Sequence, residues 1–462
     1  MKDQTYYLGI DLGTSAAKAV LRNPAGESRK AKCPYTANTP DGWLAAVETL
    51  IRELKSQTEG RIAAVGFSSQ VGTYIIDGSE VISWQSDAGL AELEEIKQAI
   101  PQDEFLREIA MPHPDLISYP LPRLLYIQRR FGTGHEVLMP KELLIRALTG
   151  QTVTDIFSMR GLANPNTVCY ADSILQKLGI ETALPPLRRP TDLAGYVTAE
   201  TAERFGLDEN TPVYLGCNDF FAGLLGMGIH TVGDCFELSG TSSHLGYLAE
   251  TVNRSAFVSG EYFRGRCTYG PTKSSGPACD LAIREFGIDG IDLHAVLAEK
   301  PPVFLPYLKG ERAPIFDEQA RGVFFGLNEK TDRKALAYAA LEGVVFSLYD
   351  IAQSMHMPAP KRLVCGGGSA KNPLMNTLRA TLYDCDVVGV EENDTSALGA
   401  CLLAMTGDGV YPTLDAAISA HVRHTAPTHP DPTLRKTLQK RFALYRRLYG
   451  DLKESFQIFT QI

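Results

Sequence analysis

An α/β protein built from two related halves is what this chain of 462 residues encodes. Two observations carry that reading. The first 69 residues run strand, strand, strand, helix, strand, the order of a mixed sheet with helices packed on it. A strand–turn–strand pattern then occurs twice, around Gly13-Thr14-Ser15 and around Gly240-Thr241-Ser242, which reads as an internal duplication near mid-chain.

Each element has a local signal. TYYLGIDLG (5–13) is a short apolar run closed by glycine, a buried strand. AKAVLRN (17–23) supplies its hairpin partner, PAGE (24–27) the next turn, and SRKAKCPY (28–35) a third strand. Trp43, Leu44, Val47, Leu50, Ile51 and Leu54 recur at helical spacing, and RIAAVGFSS (61–69) is a strand again. The glycine-rich AGLLGMGIHTVGD (222–234) places the boundary, giving domains 1–232 and 233–462. DCFELSGTSSHLGYL (234–248) then repeats the opening strand, Gly-Thr-Ser turn and strand. KRLV (361–364) is a strand, and PLMNTLRATLYD (373–384) a helix after a glycine loop. Proline-rich 185–190, 301–306 and 358–360 are loops or element boundaries, as is HTAPTHPDPT (424–433). Beyond it, Leu438, Phe442, Tyr445, Tyr449, Leu452 and Phe456 form an apolar helical stripe, expected to pack on its own domain, with a partner helix as the other reading.

Composition narrows the function. Hydrophobic residues make up 44% and charged residues 21%, an ordinary globular balance that excludes a disordered chain. The net charge of −9 disfavours a partner read through its phosphate backbone, so no nucleic acid is expected. No signal-peptide pattern and no run of 18 apolar residues occurs, so no membrane partner and a cytoplasmic location are expected. Nine cysteines without a CxxC pair fit free thiols in a reducing compartment.

Three segments carry candidate chemistry. Asp11 ends a strand, and a tight glycine turn follows. Backbone N–H groups of Gly13, Thr14 and Ser15 and two hydroxyls suit a phosphate there. Asp11 suits a magnesium ion held through water, since Mg²⁺ takes carboxylate oxygens and keeps much of its hydration. A plain hairpin turn with an Asp cap is the other reading, and the second Gly-Thr-Ser turn favours phosphate loops. Asp219 stands between an apolar strand and a glycine-punctuated helix, as either a general base or a helix cap. Cys365–Asn372 is a glycine loop between strand and helix, which lets a ligand approach the backbone closely. It lacks the GxxxxGK[ST] spacing of a P-loop. Small residues at Ser396-Ala397-Leu398-Gly399-Ala400 suit close helix packing or a wall beside a base. No His pair at HxxxH or HExxH spacing supports zinc, and no GxSxG elbow supports a serine hydrolase.

Taken together, five blocks resemble the FGGY family of carbohydrate kinases over nearly the whole chain. They are GIDLGTSAAK (9–18), GCNDFFAG (216–223), LSGTSSH (238–244), FLPYLKGERAPIFDEQARGVFFGL (304–327) and VCGGGSAKNPLMN (364–376), in the family's order. The resemblance implies two ribonuclease H-like domains of the actin and hexokinase type, with an interdomain cleft for MgATP and a sugar. It implies ATP and Mg²⁺ as cofactors and a small-molecule sugar or polyol as partner, and leaves a homodimer open. Asp219 falls on the family's catalytic base. Asp11, Gly13, Thr14, Ser15 and Lys18, with Gly240, Thr241 and Ser242, fall on the phosphate loops, Asp11 nearest the magnesium. Gly367, Gly368 and Asn372 match the adenosine-side loop.

Departures cluster at the sugar side. Ser69-Gln70-Val71-Gly72-Thr73 stands where xylulose kinases typically carry Gly-Gln-Met-His-Gly, and glycerol kinases Asn-Gln-Arg-Glu-Thr. Loss of the Arg-Glu pair argues against glycerol, because unpaired buried hydroxyls are costly. Trp84-Gln85-Ser86-Asp87 lacks the usual Trp-x-Asp-x-Arg spacing, so Asp87 is a displaced sugar ligand or a helix cap. Arg123 and Tyr126 stand where the family often has Lys and Trp, and Ala335 where its second signature has a polar residue. The expected function is ATP-dependent phosphorylation of a ketopentose such as xylulose, with Gln70, Trp84, Asp87 and Asp219 on the substrate. The alternatives are a kinase for gluconate or another polyol, and a non-catalytic nucleotide sensor on the same fold.

Overall fold

The opening residues pair as their alternation predicts. In the computed structural model, which describes residues 4–113, 116–240, 242–253 and 257–462, the strands of the two large sheets are numbered β1–β12 in chain order. β1 (Thr5–Leu12), β2 (Ala16–Arg22) and β3 (Ser28–Pro34) form an antiparallel meander. β4 (Arg61–Ser69) returns parallel to β1 after the Pro40–Ser56 helix, whose Thr39 cap accepts the Gly42 N–H. β5 (Leu193–Tyr196) and β6 (Pro212–Asn218) complete a sheet of order β5-β6-β4-β1-β2-β3, with β6 parallel to β4.

The second sheet repeats this plan. It contains β7 (Cys235–Ser239), β8 (His244–Ala249), β9 (Val258–Glu261), β10 (Arg266–Pro271), β11 (Arg362–Gly367) and β12 (Asp386–Gly389), in the order β9-β10-β8-β7-β11-β12. β7 and β8 are antiparallel, as are β8 and β10, whereas β7, β11 and β12 run parallel. Five strands of one sheet, β3-β2-β1-β4-β6, thus match β10-β8-β7-β11-β12 of the other in order and direction. The duplication legible at two three-residue turns extends through both sheets.

The chain divides into two compact units, Met1–His230 with Gly260–Tyr262 and Asp394–Val422, and Thr231–Ser259 with Phe263–Asn393 and Arg423–Ile462. The division differs from a single cut at 232/233, because Asp394–Val422 packs within the first unit. The reason is steric. The Thr395–Gly407 helix lies so close on the first sheet that a Cβ at Gly9 would stand 2.0 Å from the Ala397 carbonyl oxygen. A Cβ at Gly399 would stand 1.9 Å from the Ala222 carbonyl oxygen. The small residues of 396–400 therefore serve close helix packing.

In the first unit, Trp43, Val47, Leu50, Ile51 and Leu54 bury the helical stripe against Leu8, Ile10, Val65 and Phe67. A separate apolar cluster, with Ile96, Phe105, Leu124 and Met139, lies in the segment between β4 and β5. In the second unit the Arg333–Ser354 helix is long and apolar enough to cross a membrane, but it is the centre of the core. Asp332 caps it at the N–H of buried Ala335. The C-terminal stripe packs there too: Leu438, Phe442, Tyr445 and Phe456 are buried, and the hydroxyls of Tyr445 and Tyr307 are 2.6 Å apart. Within the 304–327 block, Phe304, Leu305, Tyr307, Ala313 and Ala320 are core residues. Buried Glu311 accepts the Arg312 N–H at 2.7 Å. All nine cysteines are free thiols.

Candidate active site

Parallel strands end their carbonyl-pointing ends together, and that is where open α/β sheets hold ligands. β1, β4 and β6 are such a set in the first unit. Register pairs Asp11 with Ser68, and Ser69 with Asn218, so Asp11 and Asp219 emerge at one end of the sheet with β4 between them. Two strand spacings separate them, roughly 10 Å.

Asp11 is buried, with its Oδ1 accepting the Ser68 hydroxyl at 2.8 Å. Burial raises its carboxyl to about 6, against the opposing pull of the Ser68 hydrogen bond and the Lys18 charge. The turn beyond it leaves Thr14 and Ser15 exposed. The Tyr35 hydroxyl donates to the Gly13 carbonyl at 3.0 Å and pins the turn. Lys18, opposite Asp11 on β2, forms an ion pair with Asp394 at 3.0 Å.

Asp219 is the first residue of the Asp219–Gly226 helix, and Asn218 is the cap, accepting the Phe221 N–H at 2.8 Å. The capping role is thus filled by the neighbour. One Asp219 oxygen accepts the Phe220 N–H at 2.8 Å. Burial first, then the Asp11 charge, push its carboxyl from 3.8 up to about 8. A carboxylate poised near neutrality can accept a proton from an alcohol as that oxygen attacks. The Ser396 hydroxyl donates to the Asp219 carbonyl at 2.9 Å, tying the start of the Thr395–Gly407 helix to the same spot.

The sugar-side residues follow β4. Gln70 is buried, its N–H bonded to the Leu12 carbonyl at 2.9 Å. The Thr73 hydroxyl accepts the Trp84 N–H at 3.2 Å. Arg123, fully buried, holds the Trp84–Ser86 loop: it donates to the Ser86 hydroxyl at 2.7 Å, the Ser86 carbonyl at 2.9 Å and the Trp84 carbonyl at 3.3 Å. Asp87 is exposed and is not a cap, since Gly89 occupies that position of the Leu90–Ala99 helix.

In the second unit the equivalent turn follows β7. A cavity of about 970 Å³ lies beside it, walled by Ser239, Gly240, Ser275, Gly368, Asn372 and Met375, among others. That volume suits a nucleotide-sized ligand. Asn372 caps the Pro373–Tyr383 helix at the Met375 N–H. Gly240, Gly368 and Asn372 are thus on the wall, whereas Gly367 and Ser242 are not. Gly367 has φ +83°, and a Cβ there would stand 1.9 Å from the Ser239 carbonyl oxygen, so glycine lets β7 and β11 close up. Thr241 lies outside the described residues.

Sequence reasoning missed Ser68, Asp394 and Ser239. Ser68 had a signal, since it follows Phe67 at the end of a strand parallel to β1. Asp394 precedes the small-residue helix by one position, where a cap is expected, yet its side chain caps nothing and pairs with Lys18.

Residues 6–226 match the FGGY family of carbohydrate kinases, N-terminal domain, and residues 290–407 its C-terminal domain. A xylulose kinase of Lactococcus lactis subsp. lactis (strain IL1403) is 27% identical, covering 99% of this chain and 98% of that protein. A crystal structure of gluconate kinase from Lactobacillus acidophilus superposes with a TM-score of 0.86 at 25% identity, covering 99% of this chain and 100% of that one. Ligand-bound xylulose kinase from the same organism also gives 0.86, at 26% identity over 98% and 100%.

Proposed function

The chain belongs to the FGGY family of carbohydrate kinases and is a sugar kinase; we propose that its acceptor is a ketopentose such as xylulose and that Asp219 is the general base. The observation that carries the second part is the Asp219 environment. Its neighbour Asn218 does the capping, and burial beside Asp11 raises its proton affinity into the range a base needs.

In this reading Asp219 accepts the acceptor hydroxyl's proton as that oxygen bonds to the γ-phosphorus of ATP. The bond from that phosphorus to the bridging oxygen breaks, and ADP leaves with the electron pair. Such transfer relies on positioning and charge neutralisation more than on covalent chemistry. Gly13, Thr14, Ser15 and Lys18 serve the phosphate side of the first unit. Gly240, Thr241, Ser242, Gly367, Gly368 and Asn372 serve the nucleotide side of the second. Gln70, Trp84 and Asp87 contact the sugar.

Magnesium fits the residues present. No group of three or more His, Cys, Asp or Glu side chains among the described residues could enclose a metal. The buried carboxylate of Asp11 suits an ion that keeps its waters and shares phosphate oxygens. When bound, Mg²⁺ supplies positive charge against the phosphates.

Similarity to a xylulose kinase over nearly the full length supports the ketopentose, while an equal TM-score to a gluconate kinase supports gluconate as the second reading. Competition settles the choice. With MgATP and equimolar xylulose and gluconate below saturation, ³¹P NMR should show mainly the xylulose phosphate. A product mixture dominated by phosphogluconate would move the acceptor to gluconate.

A further inference from the structure

Beyond Gly367 the chain leaves the β7–β11 ladder, whose last paired residues are Ser239 and Gly367. Gly368–Lys371, a single turn of 3-10 helix, follows, and at Gly368 a Cβ would meet nothing within 4 Å. One 3-10 turn makes few backbone hydrogen bonds of its own, so its course depends on what holds it from outside. It nevertheless forms part of the wall of the 970 Å³ cavity, through Gly368, Ser369, Lys371 and Asn372.

Three side chains hold it. The Ser239 hydroxyl donates to the Gly366 carbonyl at 2.8 Å and accepts the Ser369 N–H at 3.1 Å. The second is Arg379, on the Pro373–Tyr383 helix and fully buried. Its Nε and Nη2 make a two-pronged pair with Glu237 Oε2 and Oε1, at 2.9 and 2.5 Å. Nη2 also donates to the Ser369 hydroxyl at 2.6 Å. Nη1 donates to the Ser369 carbonyl at 3.2 Å and to Asn376 Oδ1 at 2.9 Å. All five guanidinium donors are used. Asn376 in turn donates to the Ala370 carbonyl at 2.8 Å. Glu237 lies on β7 two residues before Ser239, so the network joins the strand that feeds the Gly240 turn to the adjoining Gly368–Lys371 turn.

Stability alone does not call for this pair. Two well-packed apolar side chains in place of a buried ion pair are often neutral or stabilising. What an apolar pair cannot supply is the grip on both polar atoms of Ser369. We propose that Glu237 and Arg379 are positioning residues for nucleotide binding, setting the Gly368–Lys371 loop at its distance from the Ser239–Gly240 turn. This rests on the reading that the cavity takes ATP.

The test uses the full chain. The double variant Glu237→Leu/Arg379→Leu removes both charges together. It should fold, keep the acceptor KM and a kcat within about threefold, and raise the ATP KM at least tenfold. Arg379→Lys keeps the charge beside Glu237 with three donors instead of five, and should give an intermediate ATP KM. Gly276→Trp adds an indole to the cavity wall and serves as the control on the reading itself. An unchanged ATP KM in that control would mean the cavity is not the nucleotide site. A raised ATP KM in the control, with both charge variants within twofold of wild type, would overturn the positioning role alone. Equal rises in ATP and acceptor KM, tracking a lost melting temperature, would mark the pair as merely structural. Should the double variant not fold, Arg379→Lys decides by the same criterion.

Discussion

Replacing Asp219 by Asn separates two consequences of its environment. The substitution is structurally mild: Asn218 still caps the helix, and an Asn side-chain oxygen can still accept the Phe220 N–H. Chemically it removes the base. General-base catalysis contributes about 10²–10⁴-fold, so turnover should fall by that factor while ATP binding stays unchanged. The second consequence concerns the ligand-free fold. The wild-type carboxyl is raised from 3.8 to about 8 by burial and then by Asp11. A folded value above the unfolded one means that the folded state holds the proton more tightly. Its contribution to stability is full below about pH 4 and is lost as pH rises toward 8. The full shift corresponds to about 6 kcal/mol. The side chain keeps part of its surface in water, and screening brings the expected difference to about 2 kcal/mol. Asn does not titrate. Urea melts of ligand-free protein should therefore show the variant gaining on wild type as pH rises from about 4 to 8, by about 2 kcal/mol over that whole window. A coupled assay reads the turnover. Undiminished turnover would refute the base assignment, and parallel pH–stability curves would refute the argument from burial.

Three further substitutions probe other parts of the molecule. Arg123→Met releases the Trp84–Ser86 loop from three hydrogen bonds, and steady-state kinetics should show the acceptor KM rising about tenfold with the ATP KM unchanged. A rise in both constants together would deny the loop a role at the sugar. Ser68→Ala removes the hydrogen bond that holds the Asp11 carboxyl down, so Asp11 should protonate at a higher pH than about 6. Magnesium titrations of turnover should then show a weakened Mg²⁺ requirement curve at pH 6.5 and a normal one at pH 8.5, and the same change at both would exclude a protonation effect. Gly9→Ala drives a methyl group against the backbone of Ala397 and Cys401, and thermal melts should show a loss of about 3 kcal/mol; wild-type stability would mean the helix gives way freely.

The sheets were legible because period-two and apolar runs are bounded by glycine turns, and the duplicated turn pointed to the repeat. The sequence could not say that Asp394–Val422 joins the first unit, since that depends on how closely Ala397 and Gly399 let a helix approach Gly9 and Ala222, a matter of three-dimensional fit. Asp219 stood out at a strand-to-helix turn, but its competing reading as a cap was removed only when Asn218 was seen to accept the Phe221 N–H. For Asp87 the cap reading fell because Gly89 holds the cap position. Glu237 and Arg379 are 142 residues apart, and nothing local in either segment announces that they meet. Arg123 was visible as a departure from the family, but its hold on the Trp84–Ser86 loop exists only once the segment after β4 has folded back.

The first experiment is an ADP-release assay with MgATP and a panel of pentuloses, pentitols, hexonates, glycerol and heptuloses. A sugar kinase of the kind proposed should turn over xylulose or a related pentulose strongly and leave glycerol untouched. Silence across the whole panel, with ATP still bound, would overturn the proposed pentulose acceptor and favour a sugar outside the panel or a nucleotide sensor.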